Sequence, residues 1–480
     1  MSPLEANNML SGDCNTTSQS SNIVNNSGEK EEEEGLRHLL QQQDEAGVVP
    51  AQWKFKVLAS VECHNSSTDV IGAITFDKSN DFFATGGIAR KIRVYAFQSL
   101  IDNQNHSSSS SLRRSSSFNL PGEAHEDEED DDQGEDNMMY ADAKFSQNLV
   151  SRRKRSTERS AKGSDHHARS SCVQEICTPA KLSSLKWHLE QDNIIGCGDY
   201  DGVFSEWDIE RHLAVSEKDE HNGQRIWSID YCTEMPSLCA SASQDGTVRM
   251  WSRSSDQSVA LLHAPGHSPV CCAEFAPSSS FLLALACADS NVYVNDLRKL
   301  SSPILTLSHH KRAASYVRFL GRDCLVSAAI DSTLKLWDIS SSVDHCLNGG
   351  SDRLDLKKTL QHPLKTFGYH RNARNFVGLS VWAEGGLIAC GSETNEAFAY
   401  DCHQDEPILR HDFGEENFPV PGGFGVSGSA GRKDMDDCLV EDQGKLMVSA
   451  VCWRQSKESE CTLVAANSVG VLRLIKGLRN

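Results

Sequence analysis

The sequence predicts an all-β fold made of seven copies of one strand pattern, and three observations carry the prediction. Seven segments share one shape: Ile71–Phe97, Leu182–Ile209, Ile226–Ser252, Val270–Leu297, Tyr316–Ile339, Phe376–Asp401 and Val448–Lys476. Within each, apolar and polar residues alternate with period two, which is the strand period and not the helical one. Between the best-ordered copies the spacing is about forty residues, and third strands end in pairs such as Trp207-Asp208 and Trp337-Asp338.

Each unit reads as an alternating strand, a turn, a run such as Leu238-Cys239-Ala240-Ser241-Ala242-Ser243, a polar turn, and a third alternating strand. The polar turns include Gln244-Asp245-Gly246-Thr247 and Ile330-Asp331-Ser332-Thr333. The third strands end in Glu206-Trp207-Asp208, Met250-Trp251, Asn295-Asp296 and Leu336-Trp337-Asp338. That period with those endings predicts a seven-bladed WD40 β-propeller. His221, His267, His310 and His370 precede units. In WD repeats His, Ser or Thr, Asp and Trp form a buried hydrogen-bonded chain. The clearest sets are His221 with Asp245 and Trp251, and His310 with Asp331 and Trp337. A buried polar network is tolerated only when fully satisfied, so these residues are read as structural and not catalytic. The seventh unit lacks an outer strand. Trp53–Val61 alternates correctly and is otherwise unclaimed, so it is expected to complete that blade and remove an exposed edge.

The domain reading follows. Residues 1–48, rich in Asn, Ser, Gln and Glu, are expected to be a disordered tail, within which Glu31–Gln43 could form a short helix carrying Leu36, Leu39 and Leu40. Residues 49–101 hold the closing strand and blade 1. Residues 102–170 run from Ser107–Ser111 through an acidic stretch, Glu123–Asp136, to Arg152-Arg153-Lys154-Arg155; they are expected to be a disordered loop between blades. Residues 171–478 hold blades 2–7.

Composition narrows the function. The formal net charge of −20 argues against nucleic acid as a partner, because affinity for phosphates comes mostly from Lys and Arg. No N-terminal stretch pairs basic residues with an apolar core, so no secretion signal is expected and the 17 cysteines are read as reduced thiols in the cytosol or nucleus. No apolar run is long enough to span a membrane. Cys271-Cys272, Cys172 with Cys177, and His166-His167 lack the paired spacings of a zinc site. Gly423-Phe424-Gly425-Val426-Ser427-Gly428 matches G-x-G-x-x-G, but Pro419 and Pro421 stand where a strand is needed and no helix pattern follows. No Ser-His-Asp or paired-carboxylate arrangement stands out. The expectation is a protein without cofactor or metal that is not an enzyme. Arg152–Arg155 reads equally as a nuclear import signal or a solvated patch, and Arg113-Arg114-Ser115-Ser116 resembles a basic-directed kinase site.

Four further stretches carry a resemblance: Gly391-Ser392-Glu393-Thr394-Asn395-Glu396, Asn375-Phe376-Val377-Gly378-Leu379-Ser380, Ser315-Tyr316-Val317-Arg318-Phe319 and Leu463-Val464-Ala465-Ala466-Asn467-Ser468. They resemble the propeller of the plant constitutive photomorphogenic ubiquitin ligase and its suppressor-of-phytochrome partners, over about residues 52–476 without the 102–170 block. A propeller preceded by only a short tail is similar to the repressors of UV-B photomorphogenesis. That resemblance implies binding to the UV-B photoreceptor through a C-terminal Val-Pro-type segment, return of the photoreceptor to its inactive dimer, and repression of UV-B signalling in nucleus and cytoplasm. It also implies, as an alternative, a substrate receptor of a cullin-4 ligase, with the cullin-4 adaptor, the constitutive photomorphogenic ligase and flowering transcription regulators as partners. The positions matching the ligase's peptide pocket are Lys181, Tyr200, Arg225 and Trp227. Tyr and Trp offer rigid apolar walls for Val and Pro, and Lys and Arg suit an acidic flank. For the adaptor, Asn295-Asp296-Leu297-Arg298 has the Arg of the Trp-Asp-x-Arg pattern without its Trp, and Trp207-Asp208-Ile209-Glu210-Arg211 has the Arg one position late. Arg298, and after it Arg211, are the adaptor candidates.

Overall fold

The computed structural model describes residues 52–62, 69–110, 172–340, 358–414, 446–455 and 460–479. The chain divides into two units, Met1–Gln104 with Ser171–Asn480, and Asn105–Ser170. The first unit is an all-β, seven-bladed propeller. Of the second, only the last turns of a helix are described. The tail helix around Leu36, the acidic run, Arg113–Ser116, Arg152–Arg155 and Gly423–Gly428 lie outside the described residues.

Blades 1, 2, 3, 4 and 6 are built from four consecutive antiparallel strands; in blade 5 a strand added to blade 4 intervenes before the fourth, and in all six the first strand is innermost. Blade 1 is Ile71–Phe76, Phe82–Gly87, Lys91–Ala96 and Gln174–Cys177; blade 2 is Leu182–Trp187, Ile194–Asp199, Phe204–Asp208 and Leu213–Lys218. Blade 3 is Ile226–Tyr231, Leu238–Ser243, Thr247–Ser252 and Ala260–His263. Blade 4 is Val270–Phe275, Leu282–Cys287, Asn291–Asp296 and Leu305–Ser308, with Lys358–Leu360 added in parallel at its outer edge. Blade 5 is Ala314–Phe319, Cys324–Ala329, Thr333–Asp338 and Lys365–Phe367; blade 6 is Leu379–Trp382, Leu387–Cys390, Glu396–Asp401 and Pro407–Asp412. Blade 7 takes Val448–Arg454, Glu460–Asn467 and Val471–Arg479 from the C-terminal end, and its outer strand is Trp53–Glu62, antiparallel to Val471–Arg479. Inner strands of neighbouring blades pack on one another, and Ile71–Phe76 packs on Val448–Arg454, so the ring closes.

Each blade is covered on both faces by its neighbours, which explains why second strands read as unbroken small or apolar runs. Leu282–Cys287 and Leu238–Ser243 are buried at every position. Close approach selects residue size: a Cβ on Gly198 would lie 2.5 Å from Ile226 Cγ2 of the next blade. Inner strands are also stitched side chain to backbone. Asp230 Oδ2 accepts from Phe275 N (2.9 Å), Glu274 Oε2 from Phe319 N (2.6 Å) and Ser380 Oγ from Trp453 N (2.9 Å). Ser449 Oγ donates to Ile71 O (2.7 Å), across the seam.

The histidine sets form as hydrogen-bonded chains in blades 3 and 5. His221 joins Asp245 (2.8 Å) and Ser241 (2.8 Å), and Trp251 Nε1 donates to the same Ser241 hydroxyl (2.7 Å). His310 joins Asp331 (3.2 Å) and Ser327 (2.7 Å), and Trp337 Nε1 donates to Ser327 (2.9 Å). Burial alone would raise the Asp245 carboxyl, but its bonds from His221 and Thr247 outweigh that and hold it below the ordinary carboxylate range. His267 departs from the pattern. It is exposed, adopts φ 53°, and packs edge-on to His263 instead of bonding to a turn. His370 is buried but meets Tyr400 OH (3.2 Å), because blade 6 carries Tyr400 rather than a Trp-Asp pair.

His370 gives the fold an acid sensitivity. Its Nε2 has no hydrogen-bond partner among the described residues, and burial pushes the ring down to about 4 from the ordinary 6.5. The ring therefore stays neutral in the folded chain while the unfolded chain takes up a proton below 6.5. Stability should fall as pH drops from 6.5 to 4, by up to about 3 kcal/mol from this group. A melting series over that window should show a slope that His370→Gln flattens; an unchanged slope in the variant would assign the loss elsewhere.

Two boundaries differ from the sequence expectation. The block expected to be disordered from residue 102 begins as a helix, α1 (Phe97–Ser110). Tertiary docking overrides its polar composition: Phe97 and Leu100 are buried against Phe83 and Tyr95, and Gln104 Nε2 donates to Ser60 O (2.9 Å). Residues Gln174–Cys177, expected to open blade 2, are the outer strand of blade 1. Charge fastens them there. Arg93, 4 % exposed, pairs with Asp69 (2.6 Å) and Glu175 (2.9 Å), and Lys91 also pairs with Glu175 (2.6 Å). No helix among the described residues is long and apolar enough to cross a membrane.

Candidate functional site

Inner strands of six blades share a β-bulge one residue in from their first pairing. The bulged positions are Gly72, Ser183, Trp227, Cys271, Ser315 and Ser449. Trp227 is the one large side chain of the set. A bulged residue leaves the ladder and has its side chain re-aimed. Thus Trp227 is half-buried at the mouth of the ring, whereas Trp251 and Trp337 fill blade interiors at 2 % and 0 % exposure.

The surroundings of Trp227 bring three of the four sequence-predicted residues together. The Arg225 guanidinium carbon lies 3.5 Å from the Tyr200 ring centroid and 4.5 Å from that of Trp227. Stacking between two rings keeps the cation in place without neutralising it. Among the described residues Arg225 has no carboxylate partner. Lys181 is exposed, and its carbonyl accepts Tyr200 N–H (2.9 Å), which ties the connection entering blade 2 to the turn carrying Tyr200. Trp227 Nε1 donates to Gln244 Oε1 (2.7 Å), which sets the indole's tilt.

Two aromatic residues complete the wall, and the sequence marks them only as parts of family motifs. Phe376 packs against Trp227 with centroids 4.7 Å apart, and Tyr316 lies 6.0 Å from Phe376. The ring thus brings blades 3, 5 and 6 to one spot, an arrangement that no local pattern reveals. Glu393 explains its own motif: its Oε1 accepts Arg374 N (2.7 Å), Asn375 N (2.9 Å) and Asn375 Nδ2 (3.3 Å), fixing the loop that presents Phe376. Glu393 is therefore a positioning residue. Glu393→Ala should weaken binding at this site about tenfold while the blades stay folded, since losing charge-assisted bonds frees the loop but removes no wall. Equal affinity of variant and parent for an acid-flanked Val-Pro peptide would contradict that role.

Below this mouth the channel is lined by charge. Lys186 Nζ meets Asp230 (2.9 Å), and Arg318 lies 3.7 Å from Glu274 and donates to Cys272 Sγ (3.1 Å). Asp230 holds the Lys186 ammonium above its ordinary value, against burial. Among the described residues these charges pair with one another.

The adaptor candidates lie at the other end of the blades, past the ends of third strands. Arg298 is bidentate on Asp296 (3.0 and 2.7 Å) and stacks 4.8 Å from the Phe281 ring centroid. Arg211 is 76 % exposed, 3.7 Å from Asp208. Among the described residues, Asp401, Cys402 and His403 are close enough to share a metal ion. However, Asp401 already caps its own turn through His403 N–H (3.0 Å), and burial pushes the Cys402 thiol up to about 12, so the geometry is that of a turn. The described cysteines form no disulfide.

Stitched blades and shared His–Ser–Trp hydrogen bonds define a WD-repeat propeller protein. Residues 214–252, 258–296 and 301–338 match the family described as WD domain, G-beta repeat. The chain is 35% identical to WD repeat-containing protein RUP1 of Arabidopsis thaliana, over 88% of this chain and 85% of that protein. It is 36% identical to WD repeat-containing protein RUP2 of the same plant, over 86% and 89%. It is 30% identical to the E3 ubiquitin-protein ligase COP1 of Pisum sativum, over 85% of this chain but 45% of the ligase. The chain belongs to the RUP family of WD repeat-containing proteins and is a WD-repeat regulator of that family.

Proposed function

We propose that the channel mouth formed by Lys181, Tyr200, Arg225 and Trp227, with Phe376, grips an acid-flanked Val-Pro segment at the C-terminal end of a plant UV-B photoreceptor. The single observation that carries this reading is Arg225, stacked between Tyr200 and Trp227 without a carboxylate partner among the described residues. Such a cation is placed to receive an acid while the rings around it receive compact apolar groups. In this reading, binding favours the photoreceptor geometry that pairs, so it shifts the population toward the inactive dimer and represses UV-B signalling. The protein works in the nucleus and cytoplasm and needs no cofactor.

The test uses purified chain and UV-B-monomerised photoreceptor alone, with no ubiquitin components. Dimer recovery should speed up with the parent chain and not with Trp227→Ala. Recovery at the same rate with both would remove the mouth from the mechanism. A second reading rests on the opposite end of the blades. Arg298 and Arg211 face away from the mouth, so a cullin-4 adaptor could be held there while a target occupies the mouth. Loss of adaptor recovery in a pull-down with Arg298→Ala supports it, and undiminished recovery counts against it.

A further inference from the structure

Third strands of blades 1, 3 and 5 carry a cation at the same place, two residues ahead of Tyr95, Trp251 and Trp337: Arg93, Arg249 and Lys335. In blades 1 and 3 acids neutralise it. Arg93 meets Asp69 and, across the ladder, Glu175. Arg249 meets Glu220 (2.6 Å), the residue before His221. In blade 5 both acids are exchanged. The ladder partner of Lys335 is Thr366, and the residue before His310 is His309. We infer that Lys335, Thr366, His309, His362 and Lys311 form a site for a phosphate group, free or carried on a phosphorylated side chain, where the outer strands of blades 4 and 5 meet. The site is separate from the channel mouth and does not depend on the reading given to it.

Lys335 is 3 % exposed, and its ammonium makes one hydrogen bond among the described residues, to Thr366 Oγ1 (3.5 Å). A lysine has further donors to place, and a covered charge without a counter-charge is costly. The Thr366 side is exposed, so the stem is buried while the head reaches toward the surface. The field of Asp331 reaches Lys335, but that carboxylate is already in use. Its Oδ1 accepts from Thr333 N (3.1 Å) and Thr333 Oγ1 (2.6 Å), and its Oδ2 accepts from Lys311 N (2.9 Å) and bonds the His310 ring (3.2 Å). Among the described residues Lys335, Lys311, His309 and His362 form no ion pair.

The strand added to blade 4 assembles the rest. Lys358–Leu360 runs parallel to Leu305–Ser308, with Leu360 beside Leu307. Carried two residues on, the same register sets His362 beside His309, and both are exposed. Burial and the charges of Lys335, His362 and Lys311 hold the His309 ring below its ordinary value. Burial also lowers the Lys335 ammonium, which Asp331 offsets in part and Lys311 reinforces. A bound dianion reverses both depressions, because it stabilises every protonated form around it. Phosphate suits the set better than a carboxylate does. In blade 3 one carboxylate serves one cation, whereas here two ammonium groups, a hydroxyl and two imidazoles are gathered, and phosphate offers a double charge and several acceptor oxygens.

Melting curves of the full-length chain test the site in inorganic phosphate, in N-acetyl-phosphoserine amide and in chloride, at equal ionic strength and neutral pH. Phosphate at about 20 mM should raise the melting temperature of the parent by about 2 °C over chloride. His309→Glu restores the acid that blade 3 uses; it should melt above the parent in chloride and show no response to phosphate. Thr366→Glu, which rebuilds the ladder pair of blade 1, should behave the same way. Lys335→Met should also lose the response, and Trp227→Ala should keep it. A phosphoserine response as large as that of free phosphate supports the site and assigns it to a phosphorylated partner segment; a response to inorganic phosphate alone supports it and assigns it to the free ion. A parent that melts alike in phosphate and chloride, or a response that His309→Glu and Lys335→Met both retain, overturns the site.

Discussion

Trp227→Ala is expected to lower affinity for an acid-flanked Val-Pro peptide by about 2–4 kcal/mol, which is some 30- to 1,000-fold, while the melting temperature stays within a few degrees of the parent. Three contacts fail together. The peptide loses its largest apolar wall, Phe376 loses the ring it packs on, and Arg225 keeps only Tyr200 to hold it. Stability is spared for a reason visible in the other blades. The same bulge position holds Gly72, Ser183, Cys271, Ser315 or Ser449, so a small residue there is compatible with a closed ring. Trp227→Phe should recover part of the affinity. Calorimetry with thermal melts on the same samples separates the two effects. A variant that binds like the parent, or that unfolds, contradicts the assignment of Trp227 to the mouth.

Removing residues 1–62 is expected to abolish the soluble folded state. Trp53–Glu62 pairs with Val471–Arg479 along nearly its whole length. Its Ala59 and Val61 are buried in the core beneath blades 7 and 1, while Phe55 and Val57 pack against that between blades 6 and 7. Without the strand, blade 7 has three strands, an open edge and two uncovered apolar clusters. Total stability of a folded protein is only about 5–15 kcal/mol, so loss of a whole strand is not survivable. Adding a peptide of residues 50–63 during refolding should restore soluble protein. A truncated chain that stays monomeric and melts like the parent would show that the ring does not depend on this seam.

The architecture was legible because the repeat writes it seven times. The Trp-Asp endings and polar turns mark third strands, and alternation in Trp53–Val61 marks a strand in search of an edge. Where local composition and tertiary docking disagree, the sequence misleads. Residues 102–110 look like linker, but Phe97 and Leu100 anchor them as a helix. His267 looks like its counterparts, yet its left-handed backbone turns it outward. At the site, Tyr200, Arg225 and Trp227 were legible through the resemblance to the ligase propeller. Phe376 and Tyr316 were not, since Phe376 meets Trp227, and Tyr316 meets Phe376, only because the ring curls blades 5 and 6 back toward blade 3. The repeat does hold one local signal for the site: aligned unit against unit, Trp227 stands where five other inner strands carry Gly, Ser or Cys.

Partner segments should dock at the mouth walled by Tyr200, Trp227 and Phe376. Photo-crosslinking tests it most directly, using an acid-flanked Val-Pro peptide with a photoreactive group in place of the residue before Val. Mass spectrometry should place the adducts on the Tyr200 turn, on Arg225–Trp227 and on the Asn375–Phe376 loop, and excess unlabelled peptide should suppress them. Adducts confined to outer strands, or to the blade ends that carry Arg211 and Arg298, would contradict it.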